Sequence, residues 1–134
     1  MTLVFPEIEP LLIAMTKQVF VGRPEPFAAG LWISSAMPKT PAGEPTRKDR
    51  MIIIRDDSGN QMDLVRENAR IGVQFWGSTK AEASDLAQLG RGLMNDMVGG
   101  PIKRIRNVLR PVFIEDVQPM FYATFELIVK GSKL

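Results

Sequence analysis

Cysteine and histidine are both absent from the 134 residues. Without cysteine there is no disulfide framework and no thiol nucleophile. Without histidine there is no imidazole base, and most zinc chemistry loses its ligands. Long apolar runs are missing too. The longest, such as Leu11–Met15 and Met51–Ile54, fall far short of the roughly 20 residues a membrane-crossing helix needs. No repeat unit is visible. Nor does one sign of charge dominate: 17 Lys and Arg against 15 Asp and Glu leave +2, and a nucleic-acid footprint would need its basic groups gathered on one face. The stretch Met1–Glu7 has no basic region, and Glu7 and Glu9 interrupt the apolar residues around them. No targeting segment is expected, and the chain reads as a soluble protein made in a cytoplasm.

What is present suits one folded domain spanning residues 1–134. Apolar residues make up 45% and charged residues 24%, ordinary globular usage, and a chain of this length buries about two-thirds of its unfolded surface. Ile8, Leu11, Leu12, Met15 and Val19 recur at helical spacing and predict a helix over Glu7–Phe20. Leu31–Met37 reads as a short strand. The stretch Pro38–Lys48 carries three prolines, Pro38, Pro41 and Pro45, a spacing no helix or strand tolerates, so a long exposed loop is expected. Arg50–Arg55 predicts a strand and Asp56–Asn60 a turn. From Ala69 a strand alternates, with Ala69, Ile71, Val73 and Phe75 on one side and Arg70, Gly72, Gln74 and Trp76 on the other.

Thr79 and Glu82 form a capping box that predicts a helix over Thr79–Met97, stopped by Gly99-Gly100-Pro101. Small residues at Ala83, Ala87 and Gly90 would let this helix lie close against a sheet. Arg104–Arg110 reads as a strand with Ile105 and Leu109 sharing a side. Pro111 and Pro119 bracket a connection. Met120–Lys130 alternates most cleanly, with Phe121, Ala123, Phe125, Leu127 and Val129 toward the core. The order of elements implies an α+β fold: a single mixed, mainly antiparallel β-sheet with two main helices packed on one face.

No catalytic, cofactor-binding or metal-binding residues emerge. Gly90-Arg91-Gly92 lacks the third glycine of a phosphate loop and sits in a helix pattern. Asp56, Asp57 and Asp63 have no calcium-loop spacing and read as solvated turn carboxylates. Adjacent strand residues such as Glu115 and Asp116 point to opposite faces and cannot easily share an acid–base site, so they read as surface or interface. Lys103, Arg104, Arg106 and Arg110 are the one local basic concentration. The three arginines would alternate onto one strand face, able to meet phosphates or acidic partners, or to pair with Glu126 on the neighbouring strand. Trp76, just before a helix cap, is expected to pack under the helix end.

Three stretches, Met51–Asn60, Asp63–Trp76 and Ser78–Leu89, together with Pro119, Thr124, Leu127 and Val129-Lys130-Gly131, resemble the tail terminator proteins of phages with long non-contractile tails. That family has an N-terminal helix, a Pro-rich loop, a strand ending in a double-glycine turn, a strand closed by Trp, an Ala- and Leu-bearing helix and a final strand ending Val-Lys-Gly. The resemblance covers about Pro6–Gly131. The double glycine is replaced here by Ser58-Gly59-Asn60; Trp76, Ala83 and Leu86 match.

The resemblance implies a virion structural protein and not an enzyme. It would be assembled in the host cytoplasm and placed at the head-proximal end of the tail. It would form a homo-oligomeric ring, a hexamer, on the tail-tube protein, end tube polymerisation and meet the head–tail connector proteins, with no cofactor, no membrane and no specific nucleic acid. The candidate assembly-interface residues are Pro38, Lys39, Pro41, Glu44, Arg47, Lys48, Arg104, Arg106 and Arg110. A stopper or adaptor of the head–tail joint, or a nucleic-acid-binding accessory protein using the three arginines, are the alternatives.

Overall fold

Two eleven-residue strands form the spine of the structure, a computed structural model that describes residues 2–44 and 46–133. They are β4 (Arg66–Trp76) and β7 (Met120–Lys130), paired antiparallel from Arg66↔Lys130 to Trp76↔Met120. Around them the order in the main sheet is β2 (Trp32–Ser34), β3 (Met51–Gln61), β4, β7, β5 (Ile102–Arg106), and β6 (Val112–Ile114) pairs with the other end of β7. All pairings are antiparallel except β2 with β3. The short strands β1 (Leu3–Val4) and β8 (Ser132–Lys133) pair separately.

Both helices cover the same face. The α1 helix (Ile8–Phe20) buries Ile8, Leu12, Thr16 and Phe20, an i, i+4 stripe. It packs with Ile52, Ile54, Ile71, Val73, Phe75, Phe125, Leu127 and Val129 in one core. Thr16 would be an unlikely core residue, but its hydroxyl donates to the Leu12 carbonyl at 2.7 Å, which satisfies the group inside the helix. The α2 helix (Lys80–Met94) starts where expected: the Thr79 hydroxyl accepts from the Glu82 N–H at 3.1 Å. The Glu82 carboxylate reaches back to Ser78 and also meets Arg50 at 2.8 Å, tying the helix start to the start of β3. The small stripe has the expected effect. Ala83, Ala87 and Gly90 are buried, and a Cβ on Gly90 would run into the Phe75 ring on β4.

The α+β architecture with two helices on one face is therefore as expected, and several details are not. The α2 helix ends at Met94, although Met97 is still buried. The Asp56–Asn60 segment is no turn. β3 continues through it with a bulge, Asp56 pairing with Ile71 and Gly59 with Ala69, and Ser58 takes a φ of +83°. The chain reverses later, where the Asp63 carboxylate accepts from the Val65 and Arg66 N–H groups. β5 stops at Arg106 because Asn107 turns to a φ of +53°, so Leu109 does not share a strand side with Ile105. β6 occupies the stretch that the two prolines had marked as a connection.

Candidate assembly face

The sheet face without helices carries the outward positions of β4 and β7. Near the β2 end it closes over a second, smaller core of Met51, Ile53, Trp76 and Met120, with Trp32, Met37 and Tyr122 beside it. Trp76 is buried there and not under the helix end, because the residue paired with Met51 must share the face of Met51. Its indole N–H donates to Gln74 at 3.1 Å, and the Arg47 guanidinium lies 5.0 Å from the ring centre.

Arg47 brings the Pro-rich loop onto this face. The loop is folded back on itself: the Thr46 N–H donates to the Pro38 carbonyl at 2.8 Å, and Thr40 and Glu44 bond across it. The Gln118 amide donates to both the Lys48 and Asp49 carbonyls at 2.9 Å. Lys39, Pro41, Glu44, Arg47 and Lys48 are exposed and Pro38 is half-buried. Pro45 lies outside the described residues.

The arginines separate. Arg104 is exposed on β5 opposite Ile128. Arg106 is half-buried, its Nε 3.3 Å from Glu126. Arg110 lies beyond β5 in the following loop, so the expected face of three alternating arginines reduces to two. Glu126 collects charge and hydrogen bonds from several strands: Asn107 donates to it at 2.6 Å, and Arg70 lies 3.9 Å away on β4. The Asn107 bond first, then Asn68 and Arg106, hold its carboxyl below the ordinary glutamate range.

Further along the same level, the Tyr122 hydroxyl donates to the Asp57 carboxylate at 3.0 Å, across the backbone of Gly72. A Cβ at Gly72 would strike both groups, so the crossing requires glycine there. Burial first, and then the Asp57 contact, push the Tyr122 phenol up. Sequence reading missed Asp57 and Tyr122 as partners, whereas the pairing of an arginine of the Arg104–Arg110 stretch with Glu126 on the neighbouring strand is as expected for Arg106. The one local signal was glycine at an outward position of β4.

Two other surfaces differ in character. At the β6 end Val112 is 60% exposed and Ile114 40%, with Leu109 and Val117 exposed nearby. At the opposite edge Glu7, Glu9, Asp56 and Glu67 line an open depression of about 460 Å³. Glu67 is raised above the usual carboxyl range, by burial first and by the Asp56 charge second. Among the described residues no three carboxylates approach in a way that could hold a metal ion. An apolar cavity between α2 and the sheet, beside Phe75 and Phe125, has only about 10 Å³ of room. No helix among the described residues is long and apolar enough to cross a membrane. Compared with known proteins, the chain matches no family model and no curated protein.

Proposed function

We propose that this chain is a structural, ring-forming phage tail protein that caps the tail tube, ends its polymerisation and forms the interface to the head connector. The resemblance in the strand–strand–helix stretch suggests the role. The observation that carries it is the helix-free sheet face, which is furnished for protein contact. It has an exposed apolar end at Val112 and Ile114, a self-bonded strap held over Trp76, and a charged far end. A ring needs heterologous contacts that close by rotation, with two different faces for two different neighbours. A domain with unlike surfaces at its two sheet edges and a protruding strap meets that need.

The deciding experiment is electron microscopy of tails assembled without the protein. Overlong tubes are the expected result. Tails of normal length detached from heads would instead assign the chain to the head–tail joint as a stopper or adaptor. The partial neutralisation of Arg106 by Glu126 counts against the nucleic-acid reading, and filter binding should show no affinity that collapses with added salt, the mark of phosphate contacts.

A further inference from the structure

Four charges on the helix-free face form a row that crosses the sheet. At the level of β7 where Glu126 sits, β5 contributes Arg106 and β4 contributes Arg70, both paired in register with Glu126. Next on β3 comes the bulge, where Asp57 lies on the same face and holds the Tyr122 hydroxyl. Across the sheet the sequence of signs is therefore plus, minus, plus, minus. The row begins with a cation at the β5 edge and ends with an anion at the β3 edge.

The surroundings extend the same polarity. The β5 edge adds Lys103 and Arg104, both exposed, and Arg110 follows. On the helix side of the β3 edge Glu7, Glu9 and Asp56 stand beside the start of α1, with Glu67 of β4 behind them, while Arg55 shares the helix-free face with Asp57. Both edges are free at this level, because β2 covers only Met51–Ile53 of β3, and β5 is the last strand on its side. The β3 edge is not open to backbone pairing at Asp56: that N–H already donates to the Glu9 carboxylate at 2.9 Å, and the bulge distorts the strand beyond it. A neighbour must be recognised there through side-chain charge.

We propose that the occupant of the acidic β3 edge is the basic β5 edge of a second copy of this chain, joined side by side and head to tail. Setting Arg104 and Arg106 of one copy against Asp57 of the next continues the alternating row without a break. The same geometry is heterologous, since each copy offers one edge of each kind, and it closes into a ring if the turn per copy allows it. The proposal rests on the ring-forming reading above and names the surfaces that make the ring.

Native mass spectrometry of the full chain tests it, backed by light scattering across a salt series. The wild type is expected to assemble at low ionic strength and to dissociate as salt shortens the reach of exposed charges, about 10 Å at 0.1 M. The double variant Lys103→Glu/Arg104→Glu and the double variant Glu7→Lys/Asp57→Lys should each stay monomeric. An equimolar mixture of the two should assemble again, with both variants in equal number, because each reversed edge now meets a reversed partner. Thermal melts establish that each variant is folded. If Asp57→Lys disrupts the Tyr122 contact too far, Glu7→Lys/Asp57→Asn replaces it, with at least a tenfold weaker assembly expected.

A wild type that stays monomeric at low salt overturns the proposal. So does either variant assembling like the wild type, or a folded mixture that stays monomeric. The capping role fails separately. Rings that form as stated while tails lacking the protein keep normal length would sink the role and leave the interface. Variants that end tails as the wild type does would sink the interface and leave the role.

Discussion

At Gly90 two residue-level effects oppose each other, and their magnitudes decide the outcome. Replacing a helical glycine with alanine ordinarily stabilises by up to about 1 kcal/mol. Here the added methyl group would enter the Phe75 ring between α2 and β4, and overpacking a well-filled core costs about 1–3 kcal/mol. Gly90→Ala should lower the urea midpoint; a rise would mean the helix is free to move away from the sheet. Ser58 presents the reverse case. Its φ of +83° lies where a side chain is strained and glycine is not, so Ser58→Gly should raise the melting temperature, by the equivalent of up to about 1 kcal/mol. The capping pair Thr79 and Glu82 was legible in the sequence because a capping box is a local pattern. The Tyr122–Asp57 crossing was not, because nothing local says that residues so far apart meet over Gly72.

Among the elements, β3 shows why boundaries are harder to read than faces. The Asp-Asp-Ser-Gly-Asn run has the chemistry of a turn, yet the register with β4 absorbs it as a bulge and the hairpin continues to Gln61. Tertiary pairing prevailed over local turn preference. β6 was hidden for a similar reason: a three-residue strand has too little alternation to register as a pattern, and only pairing with β7 defines it. The Pro-rich strap is self-bonded through Thr46 and Pro38 and anchored through Gln118, and the first core lies on the other side of the sheet. Deleting Pro41–Pro45 should leave a folded chain with a cooperative melt while weakening ring formation or tail capping. Unchanged particle masses and unchanged capping would remove the strap from the assembly surface.

For the whole molecule, the carboxylates set the response to acid. Glu82 and Glu126 are held below their ordinary range, Glu82 mainly by Ser78 and Arg50 and Glu126 mainly by Asn107. A carboxyl lowered in the folded state contributes stability in full above its unfolded value, about 4.3 for glutamate. That contribution is lost as pH falls through the lower folded value. Glu67 runs the other way. Burial and Asp56 raise it, so its ionised form is disfavoured in the folded chain and the penalty disappears on protonation. Glu67→Gln should therefore raise the urea midpoint at pH 7 and lose that advantage toward pH 4, whereas Glu82→Gln should lower the midpoint at pH 7 and flatten the decline below pH 4. Parallel pH profiles for the two variants would contradict the assignment.

Local spacing alone settled the two main helices and the core-facing side of β4 and β7, since burial periodicity follows from backbone geometry within a few residues. It also placed the small stripe on α2 and the exposed strap. The tertiary structure decided which of two sheet faces Trp76 occupies, where β3 bulges and where β5 stops. It also decided that Arg106, Glu126, Arg70 and Asp57 fall on one line. Those depend on register between strands distant in sequence, and a shift of one residue would have turned each of these side chains to the opposite face.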